Sequence, residues 1–154
     1  MKAMKQLSEL EYKNRYADKP NFPEYAKHKR KYSDKTANGL TRCIVDFLNL
    51  SGHFAERIST TGRPLDKRKT VTDVIGRTRQ IGQLTWIPGT STRGSADISA
   101  TVNGLSIKIE VKKRDSQSDH QKIYQQKIER AGGLYWICRN FDDFIEKYNN
   151  LLKK

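Results

Sequence analysis

Cysteine is nearly absent from this 154-residue chain. The two that occur, Cys43 and Cys138, lie far apart in apolar stretches, with no Cys-x-x-Cys spacing and no histidine pair nearby. That argues against a thiolate zinc site and supplies no disulfide framework, so both read as small buried hydrophobes of a reducing compartment. Long apolar runs are missing too. None approaches membrane-spanning length, and Met1 to Leu10 lacks the apolar segment of a signal peptide, which points to a cytoplasmic protein. No internal repeat or low-complexity tract occurs. Acidic residues are the last scarcity: 17 stand against 30 Lys and Arg, for a net charge of +13 and a pI near 9.8. This excess is the electrostatic footprint of a nucleic-acid binder. An anionic membrane is the competing partner, but no basic amphipathic helix with a Trp/Phe/Leu face is present.

What is there suits one compact domain with polar extensions, since 35% of the residues are hydrophobic and 31% charged. Residues 1–35 are rich in Lys, Tyr and Glu; Pro20 and Pro23 limit a helix to about Lys5–Tyr16, and Lys27 to Lys31 form a basic run. That segment reads as a basic arm, either solvated or on phosphates. From Thr36 the spacing of Leu40, Cys43, Ile44, Phe47 and Leu48 predicts a helix stopped at Gly52, followed by a strand in His53 to Thr60. Residues 61–93 read as a basic insertion with its own hairpin: Val71–Ile75 and Gln83–Ile87 are strand-like, with bends at Gly76, Gly82, Pro88 and Gly89. Arg63, Lys67, Arg68, Lys69, Arg77, Arg79 and Arg93 face only Asp66 and Asp73 there. Together with Lys113 they are candidate phosphate contacts, which set position and not sequence. Trp86 reads as packing within that hairpin, with stacking on a base as its alternative.

The densest signal is Gly94-Ser95-Ala96-Asp97-Ile98, then Asn103-Gly104, then Ile109-Glu110-Val111-Lys112. Asn-Gly is the strongest signal for a two-residue type I′ turn, because both central residues must take positive φ. With Asn103 and Gly104 as the loop, Val102 faces Leu105, Asp97 lies opposite Glu110, and Ser95 lies opposite Lys112. Directly opposed side chains have Cβ atoms about 4.5–5.5 Å apart, so the two carboxylates repel unless a cation lies between them. Alternation puts Ala96, Ile98, Ala100, Val102, Leu105, Ile107, Ile109 and Val111 on a core face. Asp97, Ser99, Thr101, Ser106, Lys108, Glu110 and Lys112 fall on the other. A merely solvated polar face is the bland alternative.

Beyond the hairpin, Ser116 or Ser118 caps a helix to about Ala131, with Ile123, Tyr124 and Ile128 on its apolar side and Gly132-Gly133 at its end. Leu134 to Cys138 is a continuous apolar strand of the kind buried on both faces, and Phe141, Phe144, Ile145, Tyr148 and Leu152 stripe a terminal helix.

This α-β-(insert)-β-β-α-β-α order, with Gly-Ser-Ala-Asp, Ile-Glu-Val-Lys and a glutamine on the following helix, resembles the PD-(D/E)XK nuclease superfamily. Within it the chain is most similar to the VRR-NUC and Holliday-junction-resolvase-like branch, often found in phages and mobile elements. The resemblance runs from about Thr36 to Tyr148 and is strongest from Gly94 to Gly133. It implies an α/β, restriction-endonuclease-like core of α-β-β-β-α-β order over residues 36–154, with a central mixed sheet flanked by helices. It implies further that Asp97 and Glu110 ligate Mg²⁺, with Mn²⁺ as a substitute and the Val111 carbonyl as third protein ligand. Lys112 would hold or deprotonate the attacking water. Gln121 would line the site, its alternative being an ordinary exposed helix residue. Members often add a carboxylate from the first core helix; here Asn38-Gly39-Leu40-Thr41-Arg42 has none, and Asp46 or Glu56 are the nearest substitutes.

The implied activity is metal-dependent endonucleolytic hydrolysis of DNA, at branched or otherwise structured sites, by a homodimer that cuts two strands symmetrically. A hard cation lowers the pKa of bound water and offsets charge on the phosphate, and Mg²⁺ takes one or two carboxylates with oxygen ligands completing its shell. Phosphate contacts do not distinguish DNA from RNA. A restriction- or repair-type nuclease is a variant of this reading. A non-catalytic nucleic-acid-binding module on the same fold is the rival from another class.

Overall fold

The computed structural model describes residues 2–59, 62–87, 89 and 92–153. The chain forms two compact units, Met1–Ile58 with Gly94–Lys154, and Ser59–Arg93.

The first unit is mixed α/β. Its four-stranded sheet has the order β1 (Phe54–Arg57), β6 (Ile98–Val102), β7 (Leu105–Val111), β8 (Leu134–Cys138). The first two pairings are antiparallel and the β7·β8 pairing is parallel. From Ala37 onward the elements follow the order expected from the sequence.

The β6–β7 hairpin carries the expected register, with Val102 opposite Leu105 and Ile98 opposite Ile109. Its turn has φ 49° at Asn103 and 81° at Gly104, the doubly positive pair a type I′ loop requires. The core face is buried as expected at Ala96, Ile98, Ala100, Val102, Ile107, Ile109 and Val111, while Leu105 beside the turn is exposed.

Helix α2 (Ala37–Leu50) begins at Thr36, whose Oγ1 accepts from Gly39 N–H at 3.0 Å, satisfying one of the free donors of the first turn. It buries Leu40, Cys43, Ile44 and Leu48 against the sheet. Helix α4 (Phe141–Leu152), capped by Asn140, adds Phe141, Phe144 and Tyr148, all packed on Phe47 at edge-to-face angles. Residues 1–35, expected as a basic arm, hold helix α1 (Lys2–Tyr16), whose Ala3 and Leu7 belong to this core. Both cysteines are buried and unpaired. Burial pushes the Cys43 thiol up to about 11 and that of Cys138 up to about 12.

Helix α3 (Asp119–Arg130) lies on the other sheet face, where Tyr124 meets Tyr135 edge-on with ring centroids 6.4 Å apart. Two expectations change here. Ile123 is exposed and not part of an apolar side, because α3 covers the sheet with a narrow stripe. Strand β8 is buried on both faces only at Tyr135 and Cys138; as an edge strand it leaves Leu134, Trp136 and Ile137 half-buried.

The second unit is a β-ribbon. Strand β2 (Arg63–Asp66) pairs with β5 (Leu84–Ile87), and β3 (Lys69–Thr72) with β4 (Thr78–Ile81), both antiparallel. One register runs through the two ladders, and between them Lys67 N–H donates to Gln83 O at 3.3 Å. Of the expected strand Val71–Ile75, only Val71 and Thr72 are extended; Asp73 to Ile75 enter the tip turn. Trp86 does not form a core for this ribbon. It is exposed, and its indole lies over Gly62, where any Cβ would meet Nε1 at 2.5 Å. Thr60, Thr61 and Pro88 lie outside the described residues.

Candidate functional site

The hairpin register that buries Ile98 and Ile109 on one side carries Asp97, Glu110 and Lys112 to the other, as the two-residue period of a strand requires. Asp97 sits in a bend just before β6, half-buried, and its Oδ2 accepts from Val111 N–H at 2.8 Å. Asp97 and the end of β7 are therefore held together, and Val111 reaches the site through its backbone.

Glu110 is 2% exposed, which is rare for a carboxylate. It is fully engaged: Gln121 Nε2 donates to Oε1 at 2.5 Å, Lys112 Nζ lies 3.2 Å from Oε1, and Tyr135 O–H donates to Oε2 at 3.3 Å. Burial, and then the negative charge of Asp97, raise its pKa above the ordinary value against the pull of Lys112.

Lys112 is also buried, at 7% exposure, between Glu110 and Asp115, whose Oδ2 is 3.0 Å away. Burial works to lower its pKa, but the hydrogen bonds it donates to Asp115 and Glu110 outweigh that and hold it above the ordinary value. Lys112 is thus a charged ammonium at neutral pH. The bond to Lys112 also depresses Asp115. A cleft of about 300 Å³ opens on Lys112, lined also by Asp115, Ser116, Gln117, Lys122, Ile137 and Arg139. Three cations stand against one carboxylate there, and Asp115 is already paired with Lys112, so the balance favours an anionic occupant.

Gln121 is placed by the start of α3. Ser118 Oγ accepts from Gln121 N–H, and Gln121 Oε1 accepts from Ser118 N–H at 2.9 Å, a reciprocal capping box. One end of the amide closes the helix cap and the other holds Glu110. Gly94 fits the same place: its φ is 83°, and a Cβ there would lie 2.5 Å from His120 O at the first turn of α3.

Ser95 Oγ, two residues before Asp97, is buried without a hydrogen-bond partner. An orphaned buried hydroxyl two residues from Asp97 calls for a polar occupant. Among the described residues no group of three or more His, Cys, Asp or Glu side chains could hold a metal. The acidic set is the pair Asp97 and Glu110, hard-oxygen donors of the type and number that a Mg²⁺ or Mn²⁺ ion takes from a protein.

The substitute carboxylates divide. Asp46 belongs to α2 on the opposite face and is taken up by Tyr32 O–H at 2.8 Å and Arg30 at 3.3 Å. Glu56 pairs with Ser99, on the row that holds Lys108, and so shares the polar face; it is exposed.

Of the basic residues, Arg63, Lys67, Lys69, Arg77, Arg79 and Arg93 are exposed. Arg68 differs, because it grips Asp66 through both Nε and Nη2, at 2.9 and 2.7 Å. Lys113 is half-buried, and its ammonium donates to Arg139 O at 2.8 Å in an exposed position. Tyr135 and Asp115 went unnoticed in the sequence. Lys112-x-x-Asp115 was a readable signal, but no turn fixes the register of β8 that brings Tyr135 to Glu110. Among the described residues no helix is long and apolar enough to cross a membrane. No family model and no curated protein matches this chain.

Proposed function

We propose that this protein is a metal-dependent endonuclease of the PD-(D/E)XK type that hydrolyses phosphodiester bonds in DNA. The observation that carries the reading is the burial of Glu110, in β7, and Lys112, just past its end, 3.2 Å from one another, with Asp97 held to the same strand end by the Val111 N–H. Burying a carboxylate and an ammonium beside a second carboxylate costs several kcal/mol per ion unless a function or a close network offsets it, so such a group is a functional-site candidate. The strand order, mixed pairing and helices on both faces support the restriction-endonuclease-like core that this class implies.

A divalent cation bound here supplies a water of lowered pKa and Lewis-acid stabilisation of the phosphate. Asp97 and Glu110 would provide its carboxylate ligands, with Asp97 steadied by the Val111 N–H. Lys112 holds a phosphate oxygen or the attacking water by donating from its ammonium, and Asp115 keeps it charged and aimed. Its raised pKa favours this electrostatic role over removal of a proton. Gln121 and Tyr135 fix the rotamer of Glu110. Lys122 and Arg139 draw the backbone into the cleft.

The same observations contain the rival. Glu110 is satisfied entirely by protein groups, so the network also reads as a structural polar core in a non-catalytic nucleic-acid-binding module. Incubation of single-stranded, duplex, flap and four-way-junction DNA with Mg²⁺, Mn²⁺ or EDTA separates the two. Metal-dependent cleavage of at least one substrate, lost in EDTA, supports the nuclease. Binding without cleavage under every metal overturns it in favour of the module.

A further inference from the structure

Most residues of the ribbon between Ser59 and Arg93 are exposed, yet its tip displays aliphatic side chains where turns usually carry polar ones. Val74 is 105% exposed and Ile75 71% exposed. They stand on a built turn. Asp73 N–H donates to Arg77 O at 2.9 Å, Gly76 N–H donates to Asp73 O at 3.0 Å, and Gly76 takes φ 79°. Asp73 Oδ1 accepts from Ile75 N–H at 3.1 Å and from Arg77 N–H at 2.8 Å. The carboxylate that would repel a phosphate is thereby turned inward to hold the backbone, and what faces outward is Val74 and Ile75.

The stem beneath the tip is cationic on one side. In the distal ladder Lys69 pairs with Ile81 and Val71 with Arg79, so these four share a face; Thr70, Thr72, Thr78 and Gln80 make up the other. Of the two acidic residues in the ribbon, Asp66 is paired with Arg68 and Asp73 is in the turn. Among the described residues Arg63, Lys67, Lys69, Arg77 and Arg79 have no ion-pair partner. A two-stranded ribbon fits a groove of duplex DNA, cations along it meet phosphates, and neutral hydroxyl and amide groups meet base edges and sugars. Aliphatic side chains at the leading end match the apolar slot between stacked base pairs, which proteins open by inserting such wedges and kinking the duplex.

We propose that the ribbon tip is an unstacking wedge, with Val74 and Ile75 entering a base step of duplex DNA while Lys69, Arg77 and Arg79 hold the flanking phosphates. This deepens the nuclease reading and rests on its assignment of DNA as partner. A lipid surface also takes aliphatic groups beside cations, but the tip and distal ladder carry no aromatic ring for a membrane interface, and one face of the distal ladder is Thr and Gln; the exposed Trp86 belongs to the proximal ladder, away from the tip.

The test uses the full chain as Asp97→Asn, in EDTA, with duplexes carrying 2-aminopurine at successive steps. Binding raises fluorescence at least about twofold at one step through unstacking. Val74→Ser with Ile75→Ser abolishes that rise and weakens binding on the order of 10-fold, without changing the salt dependence. Arg77→Ala with Arg79→Ala weakens binding and lowers the salt slope by about one for each phosphate released. An undiminished fluorescence rise in the tip variant overturns the wedge, as does tighter association with phosphatidylserine vesicles than with DNA, or a drop in the mass of the free protein in the tip variant. Failure to bind any duplex overturns the wedge; the nuclease falls with it only when the unsubstituted chain also cleaves no single-stranded or branched substrate under any metal. Unstacking without metal-dependent cleavage by the unsubstituted chain keeps the wedge and sinks the nuclease alone.

Discussion

Gln121 joins the cap of α3 to Glu110, its carbonyl oxygen accepting from Ser118 N–H at 2.9 Å and its amide N–H donating to Glu110 Oε1 at 2.5 Å. Local helix initiation and the long-range geometry of the site therefore share one side chain.

That sharing separates two substitutions. Ser118→Ala removes a cap and lowers stability by about 0.5–2 kcal/mol, read by urea unfolding, while cleavage drops only a few-fold. Gln121→Ala frees Glu110 and lowers cleavage on the order of 10-fold or more at unchanged DNA affinity. Equal activity losses in the two variants would show that Gln121 acts only through the helix cap.

Asp97→Asn and Lys112→Ala each lower Mg²⁺-dependent cleavage by about 100-fold or more, because the first removes a charge that holds the cation and the second a charge that acts on the reacting phosphate. DNA affinity in EDTA changes little. Full activity in either purified variant, with contamination excluded, removes these residues from the reaction.

Metal binding stabilises the fold by mass action. At about 100 times its dissociation constant, Mg²⁺ adds roughly 2.7 kcal/mol and raises the melting temperature of the free protein. Asp97→Asn abolishes the shift. A shift that persists in that variant puts the cation elsewhere.

The thiols set an alkaline limit. Cys43 and Cys138 are held at about 11 and about 12 by burial, whereas an unfolded thiol ionises near about 8.5. Raised values mean that stability is fully present below about pH 8.5 and is lost as the pH climbs toward the folded values, by up to about 1.4 kcal/mol per unit for each thiol. Unfolding at pH 8 and pH 10 measures the slope, and Cys43→Ala with Cys138→Ala flattens it. At pH 8 neither thiol reacts with a bulky disulfide reagent until the chain unfolds.

Charge reversal on the ribbon stem, Lys69→Glu with Arg79→Glu, weakens binding to unrelated DNA sequences by similar factors and lowers the salt slope by about two, as the release of two phosphates requires. Sequence-selective weakening in a binding titration contradicts a backbone role.

The central hairpin was legible because one dipeptide fixes it. Asn103-Gly104 sets the turn, the turn sets the register, and alternation then sorts Ile98 and Ile109 from Asp97 and Glu110. Ser118 and Gln121 were each visible, but their reciprocal bond needed the helix geometry. Tyr135 was not legible as a site residue, since β8 reaches β7 through a helical crossover and its pairing depends on tertiary packing. In the N-terminal segment the helix was legible, as far as Tyr16, but its docking was not, because charge hid the sparse apolar set of Ala3 and Leu7 that seats α1 on the core. In the ribbon, β-propensity at Val74 and Ile75 favoured a strand, and the side chain of Asp73 made a turn of it.

The chain leaves the sheet after β1 and returns at Asp97, and Ile58 N–H donates to Asp97 O at 2.8 Å where it does so. Departure and return are pinned to one another, so the excursion closes as a loop whose ends are already together. Loop-closure entropy then grows only as the logarithm of length, about 0.6 kcal/mol for each doubling. The ribbon can be shortened, lengthened or exchanged at little thermodynamic cost to the sheet. The position that anchors it is also a carboxylate of the site.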